Sequence, residues 1–188
     1  MGFMAGKIEE IRGLTGKYTQ EFSGLTATEM DTKLGPDRWS MNECLDHIIQ
    51  SNSTFHGKLK AIASGTYRTG IWGRIPFLPA LWGKMILKTV KPEYAGKSKT
   101  FSVFQPSSSH YGKNVTSEFT AANEELIKLF QNLPEADLDT RIVSSPVTNF
   151  INYSLRTTIN ILVEHEKRHF NQATRVKQAV LDQAQRKG

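Results

Sequence analysis

An all-α fold is what this 188-residue chain predicts, on three observations. Four long stretches carry apolar residues at helical spacing, none shows sustained strand alternation, and helix start and stop signatures fall at their ends. The length fits one domain with one substantial core, and there is no internal repeat to divide it. The expected architecture is a helical bundle occupying residues 1–188.

The first helix is expected over residues 6–25, where Ile8, Ile11, Leu14 and Tyr18 recur on one face. The second starts sharply. Gly35-Pro36-Asp37 reads as a turn, Trp39 as the apolar residue that locks the chain onto the helix start, and Ser40 with Glu43 as a capping box. It runs over residues 40–64 to the stop signal Gly65. The third is expected over 114–133, ended by Pro134. The fourth follows Ser154, a good N-cap, and covers 154–183.

Between the second and third helices lie residues 66–112, a connection whose length points to a structured or functional segment. Its part from Ile71 to Val90 is strongly apolar, and a short helix is expected after Pro79. Arg74, Lys84 and Lys88 interrupt the run, which excludes an integral membrane segment. The simplest reading is a helix that covers the bundle. A membrane-surface helix, in which basic and aromatic residues pair, is the rarer alternative. Ser107-Ser108-Ser109 reads as plain loop.

Charge is unevenly placed. The chain is +6 overall. Residues 58–99 hold nine cations against Glu93 alone, net +8, and the remainder sums to −2. No known nucleic-acid-binding motif accompanies that charge, so nucleic acid is not expected as a partner. Apolar content of 38% and aromatic content of 10% exclude a disordered chain. One cysteine, Cys44, excludes a disulfide framework or a cysteine-rich zinc knuckle; it is read as a small core residue. The first residues carry neither a secretory signal nor a myristoylation pattern, so a reducing cytoplasm is expected.

The residues that carry chemistry stand on the fourth helix, Glu164-His165-Glu166-Lys167-Arg168-His169. His165 and His169, four apart, share a face with Thr158, Ile161, Leu162, Gln172, Val176 and Val180. Two imidazoles in an apolar stripe need partners, and a divalent metal satisfies both at once. The string also matches the H-E-x-x-H pattern of metalloproteases, with Glu166 as general base. Its context is wrong, because only Asp182 follows as a downstream ligand and no strand-rich lobe surrounds the helix.

A third ligand must come from upstream, from His47, His56 or His110. His47 and His56 are nine residues apart on the second helix and face opposite ways. Periodicity places His47 with Ser40, Glu43, Ser51, Thr54 and Lys58, a solvated face or the wall of a pocket. His56 lies nearer the apolar side, with Met41, Leu45, Ile48, Phe55 and Leu59. Periodicity mildly favours His56 as the more buried ring but leaves the choice open.

Trp39-Ser40-x-x-Glu43-x-x-x-His47 at the start of the second helix, with His165-x-x-x-His169-x-x-Gln172 on the last, resembles the DinB-like superfamily of bacterial metalloenzymes. The resemblance spans about residues 6–177 and is specific in the two motif regions. It implies a four-helix bundle of up-down-down-up order, whose long connection falls between helices two and three. It implies His47, His165 and His169 as metal ligands. It also implies a metal-dependent hydrolase or a low-molecular-weight-thiol transferase, many members having no known activity.

On that reading three ligands leave an open position, as catalytic zinc sites do. All-imidazole ligation suits zinc, nickel, iron or copper, zinc and nickel foremost. In hydrolysis Glu166 or Glu43 would take the water proton; in thiol transfer the basic connection would attract a carboxylate-bearing thiol cofactor. Because neutral imidazole is the ligand, affinity is expected to fall below about pH 6. The partner expected is a small-molecule substrate, with a homodimer through the apolar connection as a further expectation. The alternative function is a non-catalytic metal- or small-ligand-binding stress-response protein.

Overall fold

The computed structural model describes residues 2–96 and 100–186. It is mostly helical, with six α-helices and one two-stranded hairpin among the described residues. The four long helices are α1 (Phe3–Phe22), α3 (Met41–Ala63), α5 (Thr116–Gln131) and α6 (Leu155–Gln185). They differ from the expected spans by one to three residues at each end, where terminal turns fray. Three elements were not expected. Thr26 and Glu29 close a capping box on the short α2 (Ala27–Asp31). The strands β1 (Ile142–Ser144) and β2 (Asn152–Ser154) pair antiparallel, with Val143 opposite Tyr153. Five and three residues are too few for either to leave a periodic signature.

α1 and α3 each pack against both α5 and α6. Two buried clusters fill the space between them. One joins Ile8 and Ile11 of α1, Phe55 and Leu59 of α3, Leu126 and Phe130 of α5, and Leu155 and Ile159 of α6. The other joins Tyr18 and Phe22, Leu45 and Ile48, Phe119, and Ala173 and Val176. Tyr18 anchors the second, its ring 4.3 Å from that of Phe119 and 4.9 Å from that of Phe170. Its hydroxyl donates to the Glu166 carbonyl at 3.0 Å, so the phenol is buried without an unpaired proton.

The described parts of the connection, residues 66–96 and 100–112, are structured, as its length suggests. α4 (Leu78–Val90) lies on α6 and β2, turning Ile86, Leu87 and Val90 inward. Gly83 permits that approach, because a Cβ there would stand 3.1 Å from Thr157 Cγ2 and 3.2 Å from Tyr153 Cβ. A 3-10 turn at Ser102–Phe104 then crosses α3. The return is fastened where Asp31 accepts from the backbone N–H groups of Tyr111 (2.9 Å) and Gly112 (2.8 Å). Of the basic segment's cations, Lys97 and Lys99 lie outside the described residues.

Candidate metal centre

Helix α3 begins with the expected capping box. Glu43 N–H donates to Ser40 Oγ at 3.2 Å, and Ser40 N–H donates to Glu43 Oε2 at 2.8 Å. This fixes the first turn, and His47 follows one turn later on the same rigid element. On α6, His165 and His169 sit one turn apart. The three rings meet through one kind of atom: His165 Nε2 lies 3.2 Å from His47 Nε2 and 3.0 Å from His169 Nε2. Their ligand atoms form a metal-competent cluster that, among the described residues, includes no carboxylate and no thiol.

The donor set fits a divalent ion. His47 Nδ1 faces the Phe104 carbonyl, which can only accept. The ring proton therefore sits on Nδ1, and the Nε2 lone pair points into the cluster. A proton shared among the three Nε2 atoms serves one pair at a time, whereas a cation accepts all three lone pairs together. Tetrahedral zinc with nitrogens at about 2.0–2.1 Å has ligand separations of about 3.3 Å, close to those observed. His169 Nδ1 is buried with no hydrogen-bond partner. Gln172 neighbours that ring.

Burial keeps these rings neutral. Desolvation lowers His47 to about 4, outweighing its bond to Phe104 and the Asp46 charge, which both oppose it. It holds His165 and His169 well below the ordinary imidazole range, assisted by the neighbouring histidines and the Arg168 cation. The site is thus set in the form a metal needs, and the affinity loss expected below about pH 6 moves to more acid conditions.

His47 is 3% exposed, and Ser40, Glu43 and Ser51 beside it are buried as well. The first half of α3's polar stripe is buried because residues 102–111 of the connection lie over it, meeting His47 at Phe104 and Asp46 at Ser107 and Tyr111. Trp39 does more than lock the helix start: its ring sits 4.7 Å from His47 and 5.9 Å from His169, over the cluster. Asp46 accepts from the Ser107 backbone N–H at 2.5 Å and from the Tyr111 hydroxyl at 2.9 Å, tying down the segment read as plain loop. Arg168 donates to the carbonyls of Lys91, Tyr94 and Gly96 at 3.1, 2.7 and 3.3 Å. Sequence reasoning missed Asp46, Tyr111 and Arg168, since their partners, backbone groups for Arg168 and for Asp46 at Ser107, and each other's side chains for Asp46 and Tyr111, are distant along the chain and leave no sequence pattern.

The other candidates lie elsewhere. His56 faces Glu125 at 3.4 Å, and exposed His110 faces Asp31 at 3.0 Å. Cys44 is fully buried in the second core cluster, and burial pushes its thiol upward. Neither glutamate joins the histidines. Glu43 is held by the capping box and by Lys33 at 2.9 Å. Glu166 points into the core, accepting from Asn52 Nδ2 at 2.8 Å and Asn123 Nδ2 at 3.2 Å. Its burial raises it to about 7. One residue on from His165, it is turned about 100° around the helix, away from the ligand face.

Residues 11–173 match the DinB superfamily. The chain belongs to that superfamily. Among individual proteins, this DinB chain is 25% identical over 161 residues to the uncharacterized protein YuaE of Bacillus subtilis (strain 168), covering 85% of this chain and 90% of that one. No solved structure matches. Among the described residues no helix is long and apolar enough to cross a membrane.

Proposed function

We propose that this chain is a metal-dependent low-molecular-weight-thiol S-transferase whose His47, His165 and His169 hold one divalent ion, zinc or nickel. The convergence of the three Nε2 atoms carries the reading. Three protein ligands are the complement of a catalytic rather than a closed structural site. The ion, when bound, supplies Lewis acidity that favours a thiolate at neutral pH.

The surroundings favour thiol transfer over hydrolysis. Neither nearby glutamate is placed to assist a hydrolysis by taking a proton from water, because both are committed to structural hydrogen bonds. A thiol ionises near pH 8.5 unaided and needs no such base. The thiolate would attack an electrophilic carbon, forming a C–S bond as the leaving group departs with its electron pair and the thiol proton passes to solvent. The chain's part is positional. Phe104 holds the His47 tautomer, Trp39 packs against the His47 and His169 rings, and Arg168 and Asp46 pin the connection beside the site.

The same reading takes the chain as one four-helix-bundle domain in up-down-down-up order. The pairing of the N-terminal halves of α1 and α6 with the C-terminal halves of α3 and α5 in one core cluster supports that order. Cytoplasmic placement accords with a single, buried, unpaired cysteine.

The test is an assay of zinc- and nickel-loaded protein against a panel of low-molecular-weight thiols and an aryl halide, reading the S-conjugate by mass spectrometry. Conjugation that His165→Ala abolishes is expected. Stoichiometric metal without conjugation for any thiol would leave a non-catalytic binding protein as the better reading.

A further inference from the structure

The connection carries a second feature, on the side of α4 away from the bundle. Ile71, Trp72, Ile75, Phe77, Leu81 and Met85 are all exposed, Ile71 by 76% and Phe77 by 88%. The metal centre uses none of them. Leu81 and Met85 are one turn apart, and Lys84 and Lys88 fall on the same outward face of α4. Trp72 and Trp82 both meet Phe150 edge-on, at 4.9 and 5.6 Å, which joins the 3-10 turn at Ile71–Arg74, α4 and the loop before β2 into one patch.

Phe77 marks the tip. Among the described residues it is the one non-glycine with positive φ, at 63°. A phenylalanine is strained there, and the result is an aromatic ring directed into solvent at the start of an amphipathic helix. Interspersed with these apolar residues along the same stretch of chain are Arg68, Arg74, Lys84, Lys88 and Lys91, all exposed and none in an ion pair among the described residues. No acidic residue occurs between Arg68 and Lys91.

We propose that this face docks on an anionic lipid surface, inserting Phe77, Leu81 and their apolar neighbours at the headgroup boundary while the five cations contact lipid phosphates. Charge complementarity selects this occupant. A second copy of the chain would bring five unpaired cations against five more, with no acid in the patch to answer them. Nucleic acid would meet the cations but leave the protruding aliphatic side chains in water. An interfacial helix combines both features, and its binding scales with inserted apolar area and with attraction to anionic lipid.

Cosedimentation of the full-length protein with vesicles tests the proposal, using phosphatidylcholine alone and phosphatidylcholine with 30% phosphatidylglycerol. Binding to the anionic vesicles is expected, each cation contributing about fivefold to partitioning and 0.5 M salt removing most of it. Phe77→Ser and the pair Leu81→Ser, Met85→Ser should each weaken binding about tenfold or more. These side chains are exposed, so helical content by circular dichroism should be unchanged. Absence of binding to anionic vesicles overturns the proposal, as does binding indifferent to Phe77→Ser. A dimer in sedimentation velocity that these substitutions dissolve would assign the face to a second copy. Tighter binding to a single-stranded oligonucleotide than to the vesicles would assign it to nucleic acid.

Discussion

Replacing His47 with alanine tests the three-histidine centre at the one ligand that comes from α3 rather than α6. Wild type should hold about one divalent ion per chain, and His47→Ala should leave only the α6 pair His165 and His169. Losing an outer partner of a metal ligand already costs about 10–100-fold in affinity, so losing a ligand should cost at least tenfold. At a fixed saturating metal concentration, tenfold in Kd removes about 1.4 kcal/mol of metal-linked stability. For a chain of this size that lowers the metal-induced rise in Tm by about 3–6 °C. The increment between metal-free and metal-loaded protein is the quantity to compare. The substitution also removes the Trp39 contact and the bond to Phe104, which shifts the metal-free Tm by itself. Thermal melts with and without zinc or nickel, backed by competition with a chromogenic chelator, give both numbers. His56→Ala and His110→Ala serve as controls, because their rings face Glu125 and Asp31. An undiminished metal increment in His47→Ala, or an equal loss in His56→Ala, would refute the assignment.

Three further outcomes are expected. The folded-state imidazoles lie below their unfolded value of about 6.5, so the unfolded chain binds more protons and metal-free stability should fall as pH drops from about 6.5 toward 4. His47 alone contributes about 3 kcal/mol across that window. Glu166, raised to about 7, acts oppositely between about 4.5 and 7, so Glu166→Gln should steepen the acid loss measured by urea unfolding; a flat profile in both proteins would contradict the burial argument. Ser40→Ala removes the Oγ that caps α3 and should cost about 1 kcal/mol in denaturant unfolding while metal stoichiometry stays at one. Phe77→Gly relieves left-handed strain at an exposed site, so Tm should hold or rise by about 2–4 °C while vesicle binding falls; a drop in Tm would mean that the ring serves the fold.

The sequence by itself determined the four long helices, because apolar spacing and caps are local properties. Ser40 with Glu43 and the N-cap Ser154 placed two helix starts to within a residue of those observed. It also determined that His165 and His169 share a face, since four residues on one helix leave no freedom. The third ligand was another matter. Periodicity mildly favoured His56 and put His47 on a polar stripe, and only the family motif argued for it. Hydrophobic patterning reports which face meets the other long helices and is silent about a face covered by a connecting loop. The segment that buries His47 runs from α4 to α5, held by backbone carbonyls and N–H groups that every residue possesses. The two glutamates show the same limit. Glu166 completes the H-E-x-x-H string, yet Asn52 and Asn123, on two other helices, hold it in the core. Which side chains converge is a property of packing between distant segments, so the tertiary structure alone decided it.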